Sequence, residues 1–506
     1  MDEDNNKTID EQEERGEKKS DQELAREKKL EELRREGVDI FPHRTDKTHS
    51  IGEIVSDFSS LSREEIEAKK IKVIVAGRVV SIRRMGRATF FHLSDSQARL
   101  QVYLRENNVG EKMYKLFSLI DIGDILSVEG SLFKTKTEEL TVLTDSYTFL
   151  AKCFHPLPEK WHGLQDVELR YRKRYLDLIV NPKESEVFRL RSALISRIRE
   201  FFDERGYLEV ETPMMQVIPG GALARPFKTF HNALGLDLYL RIAPELYLKR
   251  LIVAGFEKVY EINRNFRNEG ISSEHNPEFT MLEFYQAYSD YHDMMELTEE
   301  LMVFLGQSLL NSEEIRFGEQ KISLKRPWKR LKFKDALSHY SGLDLSQIEN
   351  RDKMIELAST LASDKQPLSY GPALEIIFDK QVKQNLIQPT FVIDLPKEIS
   401  PLAKASKENP EEAERFNFFM GGLQLANAFS ELSDPKEQRA RFEQQAEERK
   451  KGSEEAHWID EDYIQALEYG LPPTGGEGIG IDRLVMLFAN KRSIREVILF
   501  PLLRPK

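Results

Sequence analysis

Short segments of strand character follow one another closely between residues of about 70 and 150, and this pattern limits the fold more than any other feature. About five such segments occur within roughly 80 residues, including KVIVAGRVVSIRR, ATFFHLSD and ARLQVYLREN, and glycines separate them. Short strands joined by tight turns are typical of a small closed or partly open barrel. We therefore expect a barrel domain over residues 66–155, after which Pro156 and Pro158 lead into a linker.

The preceding residues, 1–65, form a charged extension. Within it, QELAREKKLEELRREG has the composition of a helix that ends at Gly37, and such a helix is either fully solvated or half-docked on its neighbour. The first residues, MDEDNNKTIDEQEE, are acidic and lack the chemistry of an export or organelle signal. We therefore expect a cytoplasmic protein.

Composition excludes several classes of protein. The 506 residues suffice for two or three domains, and no apolar run is long enough to span a membrane. The single cysteine, Cys153, cannot form an internal disulfide or build a thiolate metal site. The net charge of −12 argues against binding nucleic acid through a broad positive field, so local basic patches and specific contacts would have to hold any such partner.

A long amphipathic helix is predicted for NPKESEVFRLRSALISRIREFFDERG. Asn181 is the expected N-cap, Pro182 suits the first helical position, Glu184 falls where a capping box places its acid, and Gly206 supplies the stop. Apolar residues spaced by three and four define one buried face, namely Val187, Leu190, Leu194, Ile198 and Phe201. Strands and helices then mix to the C-terminus, which indicates an α+β domain, with a mainly helical connection at about 310–400.

Three motifs follow in order along this second region. The segment RGYLEVETPMM contains the first, Phe266, Arg267, Asn268 and Glu269 form the core of the second, and GEGIGIDRLVMLF is the third. Together they resemble the class II aminoacyl-tRNA synthetases. The resemblance implies a catalytic domain over residues 165–506, built on an antiparallel sheet flanked by helices, and a homodimer joined through the first motif. Phosphate loops of the GxxxxGK[ST] type, dinucleotide-binding GxGxxG motifs and class I synthetase signatures are absent from the sequence.

Arginine at position 267 suits the chemistry of such an enzyme. Joining a carboxylate to the α-phosphate of ATP brings two anions together, and a guanidinium neutralises both without exchanging protons. By resemblance, Arg267 bridges the two groups and stabilises the transition state, so that Arg267 and Arg483 are the catalytic candidates. The resemblance also implies that adenine stacks between Phe279 and Arg483. The expected ATP-binding residues are then Arg267, Glu269, His275, Asn276, Phe279 and Arg483.

The strand after the second motif predicts which amino acid is bound. Phe279, Met281, Glu283 and Tyr285 alternate and should share one face. A dry pocket for an ammonium group needs buried negative charge, and an aspartate pocket would instead need a cation at its floor. The matched positions offer two acids, Glu283 and Glu431, and no such cation. The chain therefore resembles the bacterial lysyl-tRNA synthetases of class IIb. It implies that lysine is bound by Gly221, Glu245, Arg267, Glu283, Tyr285, Asn427, Phe429 and Glu431.

One segment departs from the family pattern. Synthetases of this type usually place two glutamates on Mg²⁺ in a segment resembling RFExFxxGxExxNAFSEL, where this chain has Asn417 and Gln424. Neutral amides repay the dehydration of Mg²⁺ less well than carboxylates do. Either the phosphates of ATP hold the metal ions, with an unusually high magnesium requirement, or catalysis is impaired.

The expected reaction has two steps: lysine and ATP give lysyl-adenylate and pyrophosphate, and the lysyl group then passes to the 3′ end of tRNA(Lys). A lysyl-adenylate-forming paralogue and a weakly catalytic tRNA-binding protein are the alternatives. The barrel would be an oligonucleotide-binding (OB) fold that reads the anticodon, because an unpaired base needs an aromatic platform with polar neighbours. By resemblance Phe90 stacks on the central base while Arg83 and Gln101 recognise it; Phe91 must then point into the core.

Overall fold

A computed structural model describes residues 19–158, 164–362, 369–450 and 458–505 of the chain. Its residues fall into two units, Met1–Ser185 and Glu186–Lys506. The acidic first 18 residues and the beginning of the linker after Pro158 lie outside the described residues.

The first unit contains a closed five-stranded barrel, which confirms the prediction from the strand pattern. Its strands are β1 (Lys72–Met85), β2 (Ala88–Ser94), β3 (Arg99–Arg105), β4 (Ile125–Lys134) and β5 (Leu140–Ala151). Their order is β1-β2-β3-β5-β4, and the pairing of β4 with β1 closes the barrel. Alternate residues point inward, so that Phe91 is 1% exposed in the barrel core.

The first unit also contains seven helices among its described residues. They are α1 (Asp21–Arg35), α2 (Ile51–Phe58), α3 (Arg63–Lys69), α4 (Glu106–Val109), α5 (Glu111–Leu116), α6 (Val167–Arg172) and α7 (Arg174–Val180). Helix α1 is half-docked: Leu30 and Leu33 join the barrel core, while Lys29 forms an ion pair of 2.5 Å with Asp121. A helix as polar as α1 is therefore held against the barrel by two apolar side chains and one ion pair.

The long helix of the second region, α8 (Ser185–Asp203), has the predicted buried face, but its start differs from the prediction. Pro182–Glu184 form a separate 3₁₀ turn. Asn181 does not cap α8, because its side-chain amide donates to the carboxylate of Asp177 at 2.9 Å. Gly206 has the predicted left-handed backbone, with φ of +75°.

The second unit is built on an eight-stranded sheet. From one edge to the other its strands are β14 (Lys329–Lys332), β15 (Thr390–Pro396), β16 (Glu412–Met420), β17 (Leu423–Ser430), β18 (Thr474–Gly480), β11 (Glu278–Ala287), β10 (Lys258–Phe266) and β6 (Leu208–Glu209). Neighbours are antiparallel except at the two edges, where β14 with β15 and β6 with β10 are parallel. The α+β class is therefore confirmed.

Smaller sheets and helices complete this unit. The strands β7 (Met215–Gln216), β8 (Lys228–His231) and β9 (Leu236–Leu240) form one sheet, and β12 (Glu314–Phe317) pairs with β13 (Gln320–Ser323). The helices are α9 (Glu245–Val253), α10 (Tyr291–Leu305), α11 (Phe333–Ser341), α12 (Leu345–Glu349), α13 (Arg351–Leu361), α14 (Tyr370–Gln381), α15 (Pro435–Lys450), α16 (Glu461–Glu468), α17 (Ile481–Phe488) and α18 (Ile494–Val497). Across the described residues, no helix combines the length and apolar character needed to cross a membrane.

The stretch at about 310–400 contains more than the predicted helices. It includes α11 to α14, which have a hydrophobic core of their own, but also β12 to β15. Because β14 and β15 complete one edge of the large sheet, this stretch is part of the sheet architecture as well as a connection.

Candidate active site

Strand β11 lies in the middle of the site. Its residues Phe279, Met281, Glu283 and Tyr285 project from one face, as their spacing predicts, and line two adjoining cavities. The first cavity, of about 250 Å³, is lined by Glu283 and Tyr285, and the second, of about 270 Å³, by Phe279. Met281 lines both, so the strand runs from one cavity to the other.

Arg267 also lines both cavities. It follows the last residue of β10, and its guanidinium carbon lies 5.0 Å from the centre of the Phe279 ring. Its Nε is buried and has no hydrogen-bond partner among the described residues. A cation at this position can therefore face ligands in both cavities at once.

The first cavity contains the residues expected to bind lysine. Its lining includes Gly221, Glu245, Arg267, Glu283, Tyr285, Asn427 and Phe429. The Tyr285 hydroxyl donates to Glu283 Oε1 at 2.8 Å. Burial, together with the nearby Glu245 carboxylate, raises the pKa of Glu283 to about 8. Without a ligand, Glu283 is therefore mostly protonated at neutral pH.

The eighth expected residue, Glu431, belongs to a buried cluster around Lys249. Lys249 lies one turn after Glu245 in α9, and its ammonium is 2.6 Å from Glu245 Oε1 and ion-paired with Glu431. Burial alone would lower the pKa of Lys249, but the two carboxylates raise it above its ordinary value, so the side chain stays charged. Burial raises the pKa of Glu431, and Lys249 opposes that shift.

Glycines leave room for these side chains. A Cβ atom on Gly476 would overlap both the Glu431 carboxylate and the Tyr285 ring, and one on Gly478 would lie 2.8 Å from the end of Met281. Gly221 has φ of +88°, and a Cβ there would lie 2.8 Å from that of Glu245. Small residues at these positions are therefore a steric requirement of the pocket.

The second cavity is lined by all six residues expected to bind ATP, namely Arg267, Glu269, His275, Asn276, Phe279 and Arg483. Arg483 Nη2 lies 3.0 Å from His275 Nε2. Burial of the ring and the adjacent Arg483 cation lower the pKa of His275 to about 4, although an edge of the residue stays exposed. His275 is therefore a neutral acceptor for Arg483 at physiological pH.

Arg267 and Glu269 both follow the end of β10 at Phe266, and Glu269 lies in an exposed loop. The cation nearest to the Phe279 ring is Arg267, while Arg483 donates to the Gln424 carbonyl at 2.8 Å.

The barrel of the first unit has an aromatic outer face. The Phe90 ring stacks on Tyr103, with centroids 4.3 Å apart, and Arg83 lies opposite Phe90 on β1. Gln101, two residues before Tyr103 on β3, donates to Glu139 at 2.6 Å. Tyr103 and Glu139 were not predicted from the sequence. Alternation along β3 could have found Tyr103, because it lies on the same side of that strand as Gln101.

Comparison with known proteins assigns both units. The family described as "tRNA synthetases class II (D, K and N)" matches residues 166–504, and "OB-fold nucleic acid binding domain" matches residues 73–150. The chain belongs to the class II tRNA synthetase family. Among its relatives are proteins named "Lysine--tRNA ligase". Those of Pelotomaculum thermopropionicum and Carboxydothermus hydrogenoformans are each 54% identical, covering 95% and 94% of this chain and 94% and 97% of theirs. That of Bacillus subtilis is 49% identical, covering 96% of this chain and 98% of its own.

Asn417 and Gln424 occupy the two positions where the family pattern has magnesium-binding glutamates. Asn417 is buried on β16 and its side-chain oxygen accepts from Arg415 at 3.4 Å, while Gln424 lines the second cavity. Within the described ranges, no group of three or more histidine, cysteine, aspartate or glutamate side chains could hold a metal ion. An amide that already faces a guanidinium is a poor partner for a divalent cation.

Two charged residues of this class II site were missed by the sequence argument. Arg415 lines the first cavity and donates to the carbonyl of Ile399 at 2.6 Å. Lys249 contacts two of the expected lysine-binding acids. The only signal for Lys249 in the sequence is its spacing of four from Glu245, and in a helix such a spacing is more often that of a surface ion pair.

Proposed function

We propose that this chain is a lysine--tRNA ligase. It activates lysine with ATP to form lysyl-adenylate and pyrophosphate, and then transfers the lysyl group to the 3′ end of tRNA(Lys). The observation that supports this most is the pair of adjoining cavities with Arg267 in the wall of each, one lined by the acids Glu245 and Glu283 and the other also lined by Arg483. The names and nearly complete coverage of the relatives agree with it, and nothing in the comparisons favours a tRNA-binding protein without catalysis.

In this proposal, lysine occupies the first cavity. Glu283, with Tyr285 and Glu431, receives the ε-ammonium, while Glu245 and the backbone around Gly221 receive the α-ammonium. Asn427 and Phe429 form the wall, and the substrate carboxylate points at Arg267. Buried acids reject a neutral side chain of similar shape, because one ionised carboxylate would be left without a partner.

ATP occupies the second cavity, with adenine near Phe279 and Glu269 and the phosphates near His275, Asn276 and Arg483. The carboxylate of lysine then attacks the α-phosphorus in line, and pyrophosphate leaves. Arg267 lies between the two anions, so it lowers their repulsion and stabilises the charge that develops on the phosphoryl oxygens. Because the attacking carboxylate is already ionised, this step needs no catalytic base.

The family generally uses ATP with Mg²⁺. Here the protein residues do not fit a carboxylate-held metal, because Asn417 and Gln424 are neutral and Asn417 faces Arg415. Magnesium therefore enters as MgATP, held by the phosphates, and the magnesium requirement is high.

The barrel binds the anticodon of tRNA(Lys). Phe90 provides the stacking surface for the central base, and Arg83 and Gln101 contact its edge. The stack of Phe90 on Tyr103 supports this role, because it holds the Phe90 ring flat on the outer face of the barrel.

The chain forms a homodimer in the cytoplasm. Support for a dimer comes from apolar side chains that stay exposed in and after the first motif, which are Leu208, Met214, Met215, Val217 and Phe230. Val217 is 63% exposed. Sedimentation velocity tests this: Met215→Glu should yield monomers, whereas the control Tyr469→Glu, at another exposed position, should not.

Amino-acid-dependent ATP–pyrophosphate exchange tests the proposed activity. The family includes enzymes for aspartate and asparagine as well as lysine, so all three amino acids are compared at increasing magnesium concentrations. Exchange should require lysine and should saturate only at high magnesium. Exchange that depends on aspartate or asparagine, or on no amino acid, would refute the proposal. An ordinary magnesium optimum would refute only the account of the metal.

A further inference from the structure

Lys249 is a buried cation to which the reaction proposed above gives no role. Its side chain is 0% exposed, and its ammonium contacts Glu245 and Glu431. The ammonium also lies 5.2 Å from the centre of the Phe429 ring and 5.9 Å from that of Tyr285. A lysine so placed cannot reach water, and the acids and rings around it hold its charge in the interior.

The charges around the first cavity can be counted. Glu245, Glu283 and Glu431 are the three buried acids assigned to lysine, and Lys249 is the cation that contacts two of them. Glu477 also lines this cavity, but its carboxylate accepts from Thr298 and is assigned no ammonium group. Arg415 and Glu375 also line this cavity, and their opposite charges attract and cancel. With its three acids ionised, the pocket therefore lacks two positive charges.

We propose that Lys249 fixes the charge of this pocket so that a ligand with two ammonium groups neutralises it. This inference rests on the proposed function. L-lysine supplies an α-ammonium and an ε-ammonium, and its carboxylate is balanced by Arg267. Norleucine has the same carbon chain but lacks the terminal ammonium, and leaves one acid unpaired. Lys249 is therefore a positioning residue that determines specificity through Glu245 and Glu431.

Single substitutions unbalance the pocket in opposite directions. In Lys249→Met the lysine complex contains one surplus buried negative charge, and in Glu431→Gln one surplus positive charge. Each change should weaken lysine binding about 100-fold, the order expected when a buried charge loses its partner. The KM for ATP should stay unchanged, because neither side chain lines the second cavity.

The double substitution Lys249→Met/Glu431→Gln restores the balance, since it removes one charge of each sign. It should bind lysine about tenfold more tightly than either single variant, although Glu431 itself has been lost. A merely structural role for Lys249 predicts instead that the double variant is at least as weak as the worse single one.

A matched control uses Glu477, another fully buried acid, whose carboxylate accepts from Thr298 at 2.7 Å. Its carboxylate faces Thr298 and not Lys249, so its removal leaves the ion pairs of Lys249 unchanged. Lys249→Met/Glu477→Gln should therefore show no recovery of lysine binding.

Isothermal titration of the full-length protein with L-lysine and with norleucine measures these affinities, and circular dichroism checks folding. Should Lys249→Met fail to fold, Glu431→Gln and the double variant still give the comparison. A double variant that binds lysine no better than Glu431→Gln, or recovery with Glu477→Gln, overturns the inference. If the unmodified protein shows lysine-dependent exchange, that result leaves the proposed function standing; if it shows none, both fall together.

Discussion

Lysine binding should depend strongly on pH because of Glu283. Glu245 and Glu431 each contact Lys249, but the hydrogen-bond partner of Glu283 is the neutral hydroxyl of Tyr285. Burial raises the pKa of Glu283 to about 8, so the empty site holds a proton there at neutral pH. The incoming ε-ammonium needs the ionised carboxylate, and binding must therefore release that proton.

The size of the effect follows from this pKa. The affinity for lysine should rise with pH up to about 8, by roughly one to two orders of magnitude between pH 6 and pH 8. Close to one proton should be released per lysine at pH 7, and fewer as the pH approaches 8. His275, with a pKa of about 4, does not titrate in this range.

Isothermal titration in buffers of different ionisation enthalpy measures both quantities in the absence of ATP. Glu283→Gln is the control: it should bind lysine weakly and with little dependence on pH, because its amide cannot ionise. An affinity that stays constant from pH 6 to pH 8.5, together with no proton release at pH 7, would refute the assignment of Glu283 as the ammonium acceptor.

Three further outcomes are expected. Phe90→Ala should spare pyrophosphate exchange but lower kcat/KM for tRNA charging about 10- to 100-fold, as expected for a lost base stack; equal loss in both assays would contradict its role. Glu477 has a raised pKa in the folded state, so its contribution to stability is present below about pH 4.5 and falls as pH rises, by about 1.4 kcal/mol per unit up to the folded pKa. Chemical denaturation at pH 5 to 7 should show a smaller pH dependence for Glu477→Gln, and identical profiles would disprove it. Restoring two acids with Asn417→Glu/Gln424→Glu should lower the magnesium concentration for half-maximal exchange about tenfold, and an unchanged titration would count against the account of the metal.

Regular spacing predicted the parts of the fold where one face is buried. Strand β11 alternates Phe279, Met281, Glu283 and Tyr285, and all four reach the cavities, because a strand fixes the direction of every second side chain. The buried face of α8 followed from spacings of three and four for the same kind of reason.

Features that depend on competition between partners or on distant contacts were not predictable. The side chain of Asn181 has the chemistry of a helix cap, yet the nearby Asp177 competes for it successfully. Strand β14 has the sequence KRLK, which lacks strand character because it lies at the edge of the sheet with one side unpaired. Lys249 meets Glu431 only because α9 packs beside β10, β11 and α16, and no local pattern encodes a contact between residues so far apart in the chain.

The position of Arg267 in the wall of both cavities has a thermodynamic consequence. A ligand in the first cavity that reorients this guanidinium also changes its contacts with a ligand in the second cavity. The two binding equilibria are therefore linked. Linkage is reciprocal: whatever factor ATP applies to the affinity for lysine, lysine must apply to the affinity for ATP. Replacing this one side chain should therefore do more than weaken each ligand separately, since the cooperativity between them would be lost along with it.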